Sequence, residues 1–378
     1  MSSTLKDVAA RAGVSIKTVS NVVNDYPHVA PDTRERVHRV IDLLGYQPNL
    51  PARHLRKARA GVIALAIPDL SNTYFSDIGH TVYEAASARS YTVVLDHTGG
   101  TRANELLVTS GLRPHLIDGV IMSSLSLGVE DVDPRRAGMP IVLLGEHLVG
   151  APRDHVVIDN VAAAHLATTH LLTLGRQRVA VIGLQARRSA AAMRLRLRGF
   201  TEALTDAGQQ PDPRLMVSAP SFHRADGARA MRHLLSLDRP PDAVFCFNDL
   251  LALGAIRALH EAGCQAPDDI AVVGFDDIEE GAFATPSLTT ISPDKAEIGR
   301  QAVRLLLGRI DGTRTGPPEL VEPPFKLVIR ESSVGPARAA RGSYACDDDV
   351  PRLVARDGRA GVVKPAIPAI PAMADGRG

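Results

Sequence analysis

The sequence predicts an α/β protein: a small all-α helix-turn-helix head, then a two-lobed core of doubly wound parallel sheets. Three observations carry that prediction. Residues 1–25, MSSTLKDVAARAGVSIKTVSNVVND, hold two short helical patterns hinged at Gly13. From Gly61 onward, apolar strand-length runs alternate with helix-length segments, the signature of parallel strands covered on both faces. About nine such runs exceed one comfortable sheet, so two lobes are expected within the room that 378 residues give.

In the head, Thr4 followed by Asp7 resembles a capping box, and Val8, Ala9 and Ala12 fall on one helical face. Gly13 accepts the left-handed conformation that ends a helix without Cβ strain. Ser15 suits the cap of a second helix, in which Val19, Val22 and Val23 form the inward stripe. Two helices joined by a short Gly-containing turn make a helix-turn-helix, whose second helix enters the major groove. An ordinary αα-hairpin has the same spacing, so other residues must decide. A third helix is expected over Asp32–Leu44, with Val37, Val40, Ile41 and Leu44 on one face and Gly45 as its stop. Residues 46–60 read as a linker in which Asn49 suits a short helix's cap and Pro51 its first turn; it is too short and too charged to be stable alone.

The core strands are expected at 61–68, 91–97, 118–124, 140–146 and 155–160, then at 178–184, 215–220, 242–248 and 269–277. A break between lobes is placed near Asp159–Asn160. A late helix, Asp294–Leu307, and a last strand, 325–331, imply that the chain crosses between lobes more than once. Past Ser333 the sequence turns to Pro, Ala, Gly and Arg, a composition that cannot bury a core and reads as disordered, with no leucine heptad. The expected division is therefore 1–47 head, 48–60 hinge, 61–333 core and 334–378 tail.

Net charge is +1, but residues 1–60 carry ten Lys or Arg against five acids, which leaves +5 on the head and −4 on the remainder. A basic head on a mildly acidic body suits phosphate neutralisation, and it favours DNA binding over the bare hairpin. Cys246, Cys264 and Cys346 have neither disulfide nor zinc spacing and fit a reducing compartment. The N-terminus has no apolar leader, and no run approaches the ~18 apolar residues of a membrane span, so a soluble cytoplasmic protein without a membrane partner is expected. No G-x-G-x-x-G after a strand, G-x-S-x-G elbow, P-loop or H-E-x-x-H occurs, and the thirteen histidines are scattered. Neither catalysis nor a cofactor or metal is expected.

With these motifs in order, the chain resembles the LacI/GalR (lactose-repressor-like) family of bacterial transcription regulators. LKDVAARAGVSIKTVSNVVN is similar to its helix-turn-helix signature, GYQPNLPARHL to its hinge, and MRLRLRGF and AVVGFDD to its effector motifs, across roughly residues 4–333. The resemblance implies a homodimer, with two heads joined by hinge helices to two-lobed, periplasmic-binding-protein-like cores. It also implies a pseudo-palindromic double-stranded operator and a small effector, most often a carbohydrate, bound between the lobes.

In a family-like pose Ile16, Lys17 and Asn21 face base edges. Lys17 suits guanine O6 or N7, Asn21 suits adenine, and Ile16 suits a thymine methyl. Thr18 and Ser20 suit phosphate, or are simply solvated. The resemblance adds Thr4, Ser15, Asn24, His28, Asn49, Ala52 and Arg53 to the DNA contacts. It implies that Leu55, apolar amid Arg53, His54, Arg56 and Lys57, wedges into the minor groove, where unstacking a step costs a few kcal/mol and is offset by contacts to the bent duplex. Packing against its dimer mate is compatible with that role. Leu55→Ala is expected to lower specific affinity far more than non-specific binding; equal losses in a salt-matched titration would reject the wedge.

Ligands of two-lobed α/β proteins bind at the carboxyl ends of strands. Asp276 ends AVVGFDD and Asn248 ends DAVFCFN, while Arg196 is the arginine of R-x-x-G-F. Asp276 as acceptor and Arg196 as donor suit vicinal hydroxyls or a polar ring; the alternative is a structural Arg196–Asp276 ion pair. Phe222 resembles the family's aromatic platform, and Asn72, Tyr74 and Phe75 follow the first strand, with Phe75 better suited to core. Where many relatives carry an acid after the fourth strand, Gly145 stands here and Glu146 follows. The usual Gly-Pro after the strand at 178–184 is absent, and Arg187 and Arg188 there suit either an anionic ligand or solvent. Ala30 replaces a frequent Ser before the third helix, which weakens that cap. Ligand is expected to close the lobes, shift the N-terminal lobes at the dimer interface and thereby make or break the hinge helices; induction and corepression both remain open. A solute-binding protein with the same two lobes is the rival, and the basic head argues against it.

Overall fold

The computed structural model describes residues 4–23, 26–46, 59–109, 116–134, 139–185 and 191–335. Asn24, Asn49, Ala52, Arg53 and Leu55, together with Arg187, Arg188 and the tail from residue 336, lie outside them, while the first tail residue, Val334, ends a short helix, Glu331–Val334.

The head holds three helices: α1 (Leu5–Ala12), α2 (Ile16–Val23) and α3 (Pro31–Leu44). The capping box at α1 forms, with Asp7 accepting from the Thr4 amide at 2.8 Å and the Thr4 hydroxyl at 2.7 Å. Gly13 then takes φ 65° and turns the chain into α2. Helix α3 starts one residue earlier than its pattern suggests because Pro31 serves as its first residue, and Ala30 makes no side-chain cap bond. Val8, Ala9, Ala12, Val19, Val22 and Val37 form the buried centre. Tyr46, assigned to the linker by sequence, joins this centre: Gly45 ends α3 left-handed, and the Tyr46 amide bonds back to the Ile41 carbonyl at 3.0 Å.

The core follows in two six-stranded sheets. The first takes β1 (Val62–Ile67), α4 (Thr73–Ser87), β2 (Thr92–His97), α5 (Arg102–Thr109), β3 (Gly119–Ser123), β4 (Ile141–Leu144) and β5 (Asp154–Val156). The second takes α6 (Asn160–Thr173), β6 (Val179–Leu184), α7 (Ala191–Asp206), β7 (Met216–Ser218), α8 (Arg224–Leu235), β8 (Ala243–Cys246), α9 (Asp249–Glu261), β9 (Ala271–Phe275) and β10 (Thr289–Pro293). The chain then returns through α10 (Lys295–Ile310) to β11 (Leu320–Val321) in the first sheet and ends with β12 (Phe325–Val328) in the second. Strand orders are β11-β5-β4-β3-β1-β2 and β12-β10-β9-β8-β6-β7, parallel throughout except where β12 pairs antiparallel with β10. Three crossings between sheets result, after β5, β10 and β11.

Two strands went unforeseen. The run TTISP of β10 is polar and ends in proline, and β11 has two residues, so neither carries a readable pattern. The expected strand 155–160 is instead the shorter β5, because Asp159 leaves extended pairing to cap α6 through the Ala162 amide. Apolar residues of β1, β3, β8 and β9 reach zero exposure, as expected of strands covered on both faces. Among the described residues no helix is long and apolar enough to cross a membrane.

Candidate functional site

On the head, Ile16 and Lys17 are exposed at the start of α2, with Ile16 46% accessible despite being apolar. Thr18, Ser20 and Asn21 are half-buried, and His28 is exposed and packs edge-on to Tyr26 with centroids 5.5 Å apart. Ser15 caps α2 by accepting from the Thr18 amide at 3.0 Å, and its hydroxyl also bonds that of Thr18 at 2.9 Å. Thr4 is similarly engaged with Asp7. These local bonds fix the first turn of α2, so the outward Ile16 and Lys17 stand on a rigid platform.

The core holds a cavity of about 460 Å³, lined from both sheets at the carboxyl ends of their strands. Asn72, Tyr74, Phe75, Glu146, Arg196, Phe222, Asn248 and Asp276 all line it. Arg196, on α7, is nearly inaccessible. Its Nε donates to Asn160 Oδ1 at 2.6 Å, its Nη1 to the Phe247 carbonyl, and its guanidinium carbon lies 3.4 Å from the Phe275 ring centroid. Among the described residues Nη2 has no hydrogen-bond partner. Gly199 explains the motif's glycine: a Cβ there would meet the Val161 carbonyl oxygen at 2.1 Å, so only glycine lets α7 approach α6 this closely and bring Arg196 to Asn160.

Asp276 directly follows β9, is 6% exposed and has φ 114°, a conformation rare for non-glycine residues. Among the described residues no contact within 4 Å joins it to Arg196, although the two groups act on each other's charge, and its carboxylate accepts no hydrogen bond from them. Burial pushes its pKa up to about 7, against the opposing pull of Arg196 and Lys295. Burial also raises Glu146, although Glu146 Oε1 accepts from the Ile158 amide at 3.0 Å and Arg196 favours its charge. The Tyr74 phenol is raised in the same way, with Asp276 and Glu146 adding to burial.

Asn248 has a different main task. Its Oδ1 caps α9 through the Leu251 amide at 2.9 Å, and its Nδ2 donates to the Phe222 carbonyl at 3.0 Å, holding Phe222 at φ 57° on the cavity wall. Asn72 likewise caps α4, accepting from the Tyr74 amide at 3.1 Å. Phe75 both lines the cavity and packs on the core.

Several supporting residues escaped sequence reasoning. Buried Asp249 accepts from Thr290 Oγ1 at 2.6 Å and from the Ile278 amide at 2.9 Å, pinning the loop that carries Asp276. A Cβ on Gly274 would meet the Asp249 carboxylate at 2.1 Å, which accounts for the glycine in AVVGFDD. Lys295 donates to Asp77 at 2.5 Å and to the Asp277 carbonyl at 2.9 Å. At the cavity mouth His223 pairs with Asp69 at 3.0 Å, and Glu280 accepts from Thr73 at 2.9 Å and Arg224 at 3.1 Å, so the two lobes are bridged there. The adjacency of Asp249 to Asn248 was visible in FND; its burial was not. Among the described residues no group of His, Cys, Asp and Glu is arranged to hold a metal ion.

The pattern of bacterial regulatory proteins of the lacI family matches residues 4–49, and that of a periplasmic binding protein-like domain matches residues 168–333. The HTH-type transcriptional regulator CelR of Thermobifida fusca is 38% identical over 342 residues, spanning 87% of this chain and 98% of that protein. A solved CelR–cellobiose complex shares 33% identity at a TM-score of 0.66, covering 88% of this chain and all of that one. The lac repressor dimer bound to operator and the anti-inducer ONPF shares 29% identity at a TM-score of 0.71, covering 88% and 99%. With head and core both matched along nearly the full length of such relatives, the chain belongs to the lacI family of bacterial regulatory proteins and is a DNA-binding transcriptional regulator.

Proposed function

We propose that this regulator acts in the cytoplasm as a homodimer, reads a pseudo-palindromic operator through α2, and changes its operator affinity when a carbohydrate fills the core cavity. One observation carries the effector reading. Asp276 and Arg196 face the same cavity as a strong acceptor and a strong donor, yet are spent neither on each other nor, for the Asp276 carboxylate, on any described residue. Cellobiose in the CelR complex favours a sugar. The dimer reading is supported by exposed Leu95 on the edge strand β2, by exposed Tyr83 on α4, which packs against β2, and by Phe283, 82% exposed on the other lobe. The lac repressor dimer on operator supports the same arrangement. Footprinting the full chain on duplexes from its chromosomal neighbourhood, with and without sugars, tests the proposal. Absence of any protected duplex would reject it.

Helix α10 offers a path from cavity to hinge. Its first residue, Lys295, holds Asp77 and the Asp277 carbonyl next to Asp276. About 24 Å away at 1.5 Å per residue, the Ile310 carbonyl accepts from Arg59 at 2.6 Å and Asp311 pairs with Arg59, at the end of the hinge. Arg59→Ala is expected to leave effector affinity within twofold while reducing, severalfold, the change in operator affinity that effector causes. Unchanged coupling in paired titrations would remove Arg59 from the path.

A further inference from the structure

We infer that Arg330, in the segment that follows β12, is a positioning residue for the core cavity: it grips Asp277 and thereby keeps the neighbouring Asp276 carboxylate turned inward. This rests on the reading of Asp276 as an effector contact and adds the device that holds it in place.

The need for such a device follows from the backbone. Asp276 and Asp277 are consecutive non-glycine residues with positive φ, 114° and 50°, a combination that residues with a Cβ resist. A turn of this kind relaxes unless its surroundings hold it. Among the described residues three side chains do so, each from a different element. Arg330 Nη2 donates to Asp277 Oδ1 at 2.8 Å. Lys295, at the start of α10, donates to the Asp277 carbonyl at 2.9 Å. Asp249, at the start of α9, accepts from the Ile278 amide at 2.9 Å. Of these three, Arg330 is the one that takes hold of a side chain in the turn. Its Nη1 also donates to the Leu288 carbonyl at 2.8 Å, so one guanidinium ties the entry of the loop 276–288 to its exit.

Arg330 can act in this way because its own backbone is fixed. Thr289 Oγ1 accepts from the Arg330 amide at 2.7 Å and donates to the Arg330 carbonyl at 2.8 Å. Buried Ser332 donates to the Val272 carbonyl of β9 at 2.7 Å and accepts from the Thr289 amide at 2.8 Å. Glu331 accepts from the Ser287 amide at 2.8 Å. The segment is thus bonded to β9, to β10 and to the loop between them, and its guanidinium reaches Asp277 from a rigid base. Both guanidinium nitrogens bond groups other than Asp276, so Arg330 acts on that carboxylate through the backbone. The charges that act on Asp276 directly come from Arg196 on α7, Lys295 on α10, Asp77 on α4 and Asp249 on α9. With the Arg330 link cut, the turn relaxes toward ordinary backbone, the carboxylate swings to water, and the cavity loses its acceptor.

Thermal melts and amide hydrogen exchange of the full chain without ligand test this. Asp276→Asn is expected to raise the melting temperature at pH 8, relative to its effect at pH 5.5, by at least about 2 °C, because the natural carboxylate is held out of water. In an Arg330→Gln background that gain is expected to vanish, and amides 276–281 are expected to exchange about tenfold faster or more. Arg330→Lys, which keeps a positive charge beside Asp277, is expected to restore the gain. Glu331→Gln, which loosens the same segment without touching Asp277, is expected to leave both the gain and the exchange as they are. Asp277→Asn weakens the link from its other side and is expected to act like Arg330→Gln, so it takes that variant's place should circular dichroism show Arg330→Gln unfolded. A full gain in the Arg330→Gln background, an equal loss in Glu331→Gln, unchanged exchange over 276–281, or no gain in the natural background would each overturn the inference. Every measurement uses the ligand-free chain, so failure here is distinct from failure of the carbohydrate reading, which footprinting with sugars decides.

Discussion

Replacing Asp276 with asparagine is expected to weaken effector binding by about 100-fold, roughly 2.7 kcal/mol, and to abolish effector control of operator affinity at ordinary ligand concentrations. Hydrogen bonds to a charged acceptor contribute about 1.5–3 kcal/mol each, and the amide keeps the shape while losing the charge. The pH dependence has a definite sign. The Asp276 pKa stands at about 7 because burial penalises its charge. A ligand that donates hydroxyls to the carboxylate favours the ionised form, so binding releases a proton below pH 7. Affinity is therefore expected to fall about tenfold per unit below pH 7 and to level off above it. The same displacement makes a prediction about the ligand-free protein. With the folded value raised above 3.8, the contribution of Asp276 is fully present below the unfolded pKa and is lost as pH rises through about 7. Asp276→Asn is thus expected to melt higher than the natural protein at pH 8 without ligand, and not to shift when effector is added. A variant that retains effector affinity within threefold, or an affinity flat from pH 6 to 8, would remove Asp276 from the site.

What the sequence disclosed follows a physical division. Signals that act over a few residues were legible: the Thr4–Asp7 cap, the Gly13 turn, the cap of Ser15, and strand ends such as AVVGFDD, because each depends on neighbours in the chain. Relations made by folding were not. Arg196 is held by Asn160 and Phe247, separated from it by 36 and 51 residues, and nothing local marks either partner. Asp249 reads as an ordinary helix-start acid, and only Thr290 and Ile278 reveal it as the anchor of the Asp276 loop. Of the elements missed, β10 is largely polar and β11 has only two residues, and they pair through tertiary placement rather than pattern. Tyr46 shows the same limit at the head, where a residue placed in the linker completes a small core.

The head supplies the other large effect. Lys17→Ala combined with Asn21→Ala is expected to lower affinity for the operator by about 100-fold or more, since each well-formed base contact contributes about 1–3 kcal/mol of discrimination. The fold should survive. Lys17 is exposed and Asn21 half-buried, whereas the packing of α2 against α1 and α3 rests on Val19 and Val22, which the substitutions leave in place. Circular dichroism of the variant should match that of the natural protein. The informative comparison is between the duplex that the natural protein selects from a random pool and a scrambled duplex of equal length. Base reading predicts a large loss on the first and a small one on the second. The slope of log affinity against log salt should change by no more than about one, the share of Lys17's charge. If the loss is equal on both duplexes, Lys17 and Asn21 touch the backbone, and the bases must be read by other residues of the head or hinge, with Ile16 the first to test because its exposed apolar side chain has no role in the head's own core.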